Sequence, residues 1–232
     1  MRYSAYLPTT KNLSVKPAKP EFMKQLTGLF LLLVTFAFAT PVVAQFEGVI
    51  EFTKTIGTSV TTYKYYVKGN NVRIEELSTD GRITGIMLVD IKNDSIVALN
   101  PKRKLYMDVP NRRRIPEFEA TVNKQKKKVS ALDHNCSVYK VTCKAEDRII
   151  TYKIAENDFE FFAPLLKTLN RKDKQALYFQ KIADLTGAFP MVGEERKLDG
   201  TLVSKLKVKK VTRASIDASL FSIASGYEKF QR

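Results

Sequence analysis

His134, Cys136 and Cys143 form the one cluster of metal-ligating and nucleophilic side chains in the chain, and His134 is its sole histidine. A catalytic zinc ion takes about three protein ligands and a structural one about four. Nothing else joins these three, so we expect no metal. A Cys/His nucleophile pair would draw on the same residues, because positions two apart share a face of a strand. No oxyanion-hole motif accompanies them. The two cysteines also bear on redox state, since in an oxidising compartment they can bridge. Positions seven apart in one strand lie roughly 23 Å apart, beyond bonding reach, so a Cys136–Cys143 disulfide needs a turn around Ser137 to Lys140. Val138, Tyr139 and Val141 read as strand instead, which would leave two separate small hydrophobes. Both readings stay open on sequence.

Other chemistries lack their signatures. There is no G-x-S-x-G elbow, no P-loop and no dinucleotide glycine fingerprint. The pairs Glu75-Glu76 and Glu194-Glu195 are adjacent in sequence, so on strands their carboxylates point to opposite faces. The expectation is a protein that is not an enzyme and carries no cofactor.

The strongest signal concerns location. Met23 to Ala44 has the form of a secretory leader: Lys24 at its start, an apolar run from Leu26 to Ala39, the break Thr40-Pro41, and small residues at Val42 and Ala44. Cleavage between Ala44 and Gln45 is expected, with residues 1–22 an over-called extension, 23–44 the signal peptide and 45–232 one domain. No cysteine follows the cut, so it is not a lipoprotein signal. The alternative, an uncleaved anchor, needs roughly 20 apolar residues, and the uninterrupted run is shorter. An exported protein in the periplasm or envelope of a Gram-negative-type bacterium follows.

Charge points the same way. The chain holds 39 Lys and Arg against 24 Asp and Glu, net +15; residues 1–44 contribute five basic and one acidic residue, leaving net +11 for the remainder. Such a balance attracts polyanions. Outside the cytoplasm these are lipid headgroups and lipopolysaccharide phosphates, not nucleic acid. The basic residues concentrate in a stretch read as a loop, 110–128, with Arg112, Arg113, Arg114 and Lys126, Lys127, Lys128. These are the candidates for contact with an anionic membrane surface.

The elements that position these residues follow from periodicity. From Gln45 to Val109, Phe46, Ile50 and Phe52 alternate with Glu47 and Glu51, and turn residues at Gly69-Asn70-Asn71, Asp80-Gly81, Lys92-Asn93-Asp94 and Asn100-Pro101 cut the stretch into six strands, an antiparallel meander. Val138 to Ile154 adds two or three more. Asp158 is a plausible N-cap for a helix carrying Phe159, Phe162, Leu165, Leu166 and Leu169, with Pro164 delaying or kinking it. A second helical segment carries Ala176 to Leu185, with Gly187 as its C-cap. Residues 189–196 and 201–213 return to strand. The fold class is α+β: a curved antiparallel β half-barrel with helices covering its concave apolar face. Phe159, Phe162, Leu166, Phe179 and Phe189 fall at the helix–sheet interface, where they fill a core or line a cavity for acyl chains.

With these elements in view a resemblance emerges. Tyr65-Tyr66-Val67-Lys68-Gly69-Asn70-Asn71-Val72-Arg73-Ile74-Glu75 resembles the strand, Gly-Asn turn and Val-Arg strand of the exported family called domain of unknown function 4412. Val89-Asp90 through Ala98-Leu99-Asn100-Pro101-Lys102-Arg103-Lys104-Leu105-Tyr106 is similar to its basic hairpin. Ser219-Leu220-Phe221-Ser222-Ile223 with Gly226-Tyr227 is similar to its closing motif, with Ala224-Ser225 where proline is frequent. That family resembles the outer-membrane lipoprotein carrier superfamily. The resemblance implies an open half-barrel with helices as a lid over an apolar cavity, and brings no catalytic residue. The expected function is binding of a lipid-like or acylated ligand by a monomer. The competing expectation is an envelope scaffold with a fully packed core and a basic docking face.

Overall fold

The computed structural model describes residues 45–111, 114 and 117–231. The leader, Ala44 at the expected cleavage point, Arg112 and Arg113 lie outside the described residues. Among the described residues, twelve strands form one sheet. Six make the expected meander: β1 (Glu47–Ile56), β2 (Ser59–Lys68), β3 (Asn71–Leu77), β4 (Ile83–Asp90), β5 (Ser95–Asn100) and β6 (Leu105–Asp108). A second meander holds β7 (Thr121–Ala131), β8 (His134–Cys143), β9 (Arg148–Ala155), β10 (Phe189–Arg196) and β11 (Leu202–Arg213). The two join where β1 pairs antiparallel with β11. Gly48 sits at this seam, where a Cβ would lie 2.1 Å from the Thr212 carbonyl oxygen. Only glycine permits that approach.

The spatial order is β12-β6-β5-β4-β3-β2-β1-β11-β10-β9-β8-β7, so the sheet is open, with β7 and the short β12 (Glu228–Lys229) as its edges. Register shifts at Glu51/Phe52, Glu76/Leu77, Pro190/Val192 and Glu195/Arg196 bend the strands, and the sheet is curved. Between β9 and β10 the chain leaves the sheet to form α1 (Phe162–Leu169) and α2 (Lys174–Phe179). The apolar spacing of α1 buries Phe162, Leu165, Leu166 and Leu169 against the sheet.

Several details differ from the sequence reading. Asp158 does not cap α1; it has a left-handed backbone (φ 77°), and the helix starts later, at Phe162. Pro164 thereby falls in the first turn, where its missing N–H costs nothing. The second helix stops at Phe179, because the following N–H groups of Lys181 and Ile182 donate three residues back, to Tyr178 and Phe179. Gly187 does not end a helix; it turns the chain so that its carbonyl accepts from the Phe159 N–H at 3.0 Å. Much of the stretch read as a basic loop is strand: Lys126, Lys127 and Lys128 belong to β7. Finally, Ser137 to Lys140 is continuous β8 and makes no turn, so Cys136 and Cys143 are both buried and free rather than bridged.

The tail crosses the sheet as a strap. Lys68 Nζ donates to the Ile216 carbonyl at 2.7 Å, and the Ile216 N–H donates to Glu47 Oε1 at 2.7 Å. Arg73 Nη1 donates to the Leu220 carbonyl at 3.2 Å, and β12 pairs parallel with β6. Tyr227 packs on Ile86, Leu88 and Leu99, an apolar cluster separate from the main core.

Candidate functional site

A cavity of about 200 Å³ lies between the sheet and the two helices. Its floor follows from strand register. Tyr65 on β2 pairs with Ile74 on β3, which pairs with Met87 on β4; Phe52 on β1 pairs with Tyr63 on β2. These side chains share one face because positions two apart do. Phe52 stacks on Tyr63 with ring centroids 5.3 Å apart and meets Tyr65 edge-on at 4.9 Å. The far wall is Phe189 and Pro190 of β10, Tyr152 of β9 and Leu206 of β11; the roof is Phe162, Leu166 and Leu169 of α1 with Ala176 and Phe179 of α2.

Four of the interface residues picked out by spacing therefore line the cavity: Phe162, Leu166, Phe179 and Phe189. Phe162 and Phe189 touch at 4.4 Å between centroids, and Phe162 meets Phe179 at 5.2 Å. Phe159 does not line it. It is buried to one side, between Phe46 at 5.3 Å and Phe189 at 5.2 Å. His134 stands beside Phe159 at 5.8 Å between ring centroids. Among the described residues no grouping of His, Cys, Asp or Glu could hold a metal ion. Burial pushes the Cys136 thiol above its ordinary pKa, the opposite of what a nucleophile needs.

The polar residues are confined to one part of the wall: Lys54, Arg171, Asp173 and Gln175. Asp173 caps α2, its Oδ1 accepting from the Ala176 N–H at 3.2 Å, while its Oδ2 pairs with Lys54 Nζ. Burial pushes the Lys54 ammonium below its ordinary value; Glu195 opposes this and Arg171 reinforces it. Burial raises the phenols of Tyr63 and Tyr65, with the charge of Arg171 pulling both down. Gln175 Nε2 donates to Ser204 Oγ at 2.7 Å, Ser204 donates to Glu195 Oε2 at 2.7 Å, and Arg148 Nε donates to Glu195 Oε1 at 3.1 Å. The remaining Gln175 oxygen is buried without a partner among the described residues.

Sequence reasoning missed Lys54, Tyr63, Tyr65 and Arg171. The alternation of Tyr63 and Tyr65 with Thr62 and Lys64 was the available signal for the tyrosines. The basic candidates stand elsewhere. Lys126, Lys127 and Lys128 are exposed on the edge strand β7, and β8 separates that strand from the strands lining the cavity. Gln125, Lys126 and Lys127 bulge outward, because Lys124 pairs with Tyr139 and Lys128 with Ser137. Arg114 is exposed.

An open curved sheet that encloses an apolar cavity under short helices is a binding architecture rather than a catalytic constellation. The chain belongs to the family described as Domain of unknown function (DUF4412), whose model matches residues 46–227. Among solved structures it is similar to an uncharacterized conserved protein from Thermus thermophilus, at 10% identity and a TM-score of 0.51, over 90% of this chain and 100% of that one. This likeness shows the fold alone. Lesser likenesses are to MucB (10% identity, TM-score 0.44, 79% of this chain and 60% of that one) and to a protein domain from Vibrio parahaemolyticus named for outer membrane lipoprotein sorting (9% identity, TM-score 0.32, 75% and 88%). At those scores neither carries an argument. No curated protein matches the chain.

Proposed function

We propose that this is a non-enzymatic protein of the cell envelope that binds a lipid-like apolar chain between its sheet and helices. The observation that supports it most is the cavity itself, roofed and floored by Phe, Tyr, Leu and Ile side chains, with polar groups on one side only. Each methylene buried there contributes about 0.8 kcal/mol. The volume of about 200 Å³ falls below the ~300–1,000 Å³ of pockets for drug-sized ligands. One chain fits that size better than several. In this reading the leader at 23–44 is removed and the working protein begins at Gln45. Among the described residues no helix is long and apolar enough to cross a membrane. Native mass spectrometry of protein isolated without detergent tests the proposal: a reproducible adduct of lipid mass supports it, and protein that neither carries nor takes up lipid overturns it.

The basic edge supplies a second component, docking to an anionic membrane surface. Lys126, Lys127 and Lys128 stand exposed, with Arg112, Arg113 and Arg114 close in sequence. Each basic residue near such a surface contributes about 1 kcal/mol. Gln at all six positions is expected to weaken binding to phosphatidylglycerol vesicles by at least about tenfold and to flatten its salt dependence. Unchanged vesicle sedimentation would leave the edge as solvated lysines that keep strands from pairing. The small cavity also favours one competing reading, a scaffold whose interior is filled by its own side chains. That reading predicts a clean unliganded mass.

A further inference from the structure

Resting on the apolar-ligand reading, we infer that the polar part of the cavity wall is a headgroup subsite for a single-chain anionic amphiphile, with Arg171 as its main contact. Arg171 directly follows Asn170, which ends α1 in a left-handed conformation (φ 44°), and lies just before Asp173, which caps α2. The short link between the helices thus fixes the guanidinium in the cavity wall, on the exposed side.

Its pairing state is the central observation. Among the described residues Arg73, Arg82, Arg148, Arg196 and Arg213 each contact a carboxylate. Arg171 contacts none of the described carboxylates; its hydrogen-bond partner is the Met87 thioether sulfur at 2.6 Å, a weak acceptor. A guanidinium fork suits two oxygens of a carboxylate or phosphate. The neighbourhood leaves that role open. Asp173 is engaged by Lys54, so Arg171 adds an unbalanced positive charge to the wall. The hydroxyls of Tyr63 and Tyr65 line the same cavity and have no hydrogen-bond partner among the described residues. Burial holds both phenols protonated, so they are donors at neutral pH. Donors and positive charge on one side, with aromatic and aliphatic walls elsewhere, match a molecule with one anionic end and one apolar chain. The anionic oxygens belong to a fatty carboxylate or to a phosphate ester.

Titration calorimetry on the full chain with decanoate, decyl phosphate and decanol, for wild type and Arg171→Gln, tests this. Because Arg171 is exposed, the variant keeps the fold. The expected result is that wild type binds one or both anionic probes at least about tenfold more tightly than decanol. Arg171→Gln removes most of that preference and leaves the decanol affinity unchanged. Tighter decanoate identifies a carboxylate head, and tighter decyl phosphate a phosphate. Equal affinity for anionic and neutral probes in wild type, or an equal loss for all three in the variant, overturns the headgroup subsite while leaving the apolar site standing. Binding of none of the three overturns both.

Discussion

Gln175 shows how much one side chain is asked to do. Its backbone carbonyl accepts from the Tyr152 hydroxyl at 2.6 Å, and its amide nitrogen donates to Ser204. Its amide oxygen rests above Gly193, where a Cβ would stand 2.5 Å away. Gly193→Ala therefore drives the amide off Ser204 and disturbs the chain of bonds to Glu195. The expected cost is about 1–3 kcal/mol, read as a lower urea midpoint at unchanged m-value. An unchanged midpoint would mean that the amide is free to turn. Contacts of this kind were not legible beforehand: Gly193 sits in a run of strand residues with no turn signal, and its partner lies in another element, well upstream in the chain. The aromatic walls were more readable, because Phe162 and Leu166 repeat at helical spacing. Arg171 gave no signal, since one basic residue between two helices looks like any solvated link.

At the scale of elements, the short helices depend on bonds to the sheet. The six residues of α2 cannot hold a helix alone. Glu146, in the turn between β8 and β9, pairs with Lys174 and accepts from the Tyr178 hydroxyl at 2.5 Å, which ties both ends of α2 down. Burial disfavours its charge, but Lys174 and Tyr178 outweigh that and hold its pKa below the ordinary 4.5. A carboxylate with a lowered folded pKa contributes stability that is complete above its ordinary value and lost as pH falls through the folded one. Glu146→Gln is therefore expected to cost about 1 kcal/mol at neutral pH, discounted for its partial exposure. The gap to wild type should close below about pH 4 in thermal melts. A gap that stays constant into acid would show that the charge plays no part. Helix ends were the least legible elements. The apolar period continues through Ile182 and Leu185, so only the three-residue hydrogen bonds after Phe179 show where α2 stops. Likewise Lys124 to Lys128 have the composition of a loop; it is pairing with β8 that makes them a strand.

For the whole molecule, the six-strand meander and the return to strand after the helices could be read from turn residues and alternation. The order of the sheet could not: that β1 pairs with β11 depends on a contact across most of the chain, and local periodicity carries no such information. The open edges also follow from this topology. Edge β7 is guarded by a bulge and lysines, and β12 by its shortness. What the assembled molecule creates is an apolar space beneath two short helices, and the central claim is that a single apolar chain occupies it. Native mass spectrometry of the protein taken from its own membranes without detergent, beside an Ala176→Phe variant that fills the cavity from α2, tests this most directly. The account predicts a one-to-one adduct of lipid mass on wild type that is lost in the folded variant. A bare wild-type mass that stays bare after incubation with lipid, or an adduct equally abundant on both proteins, would contradict it.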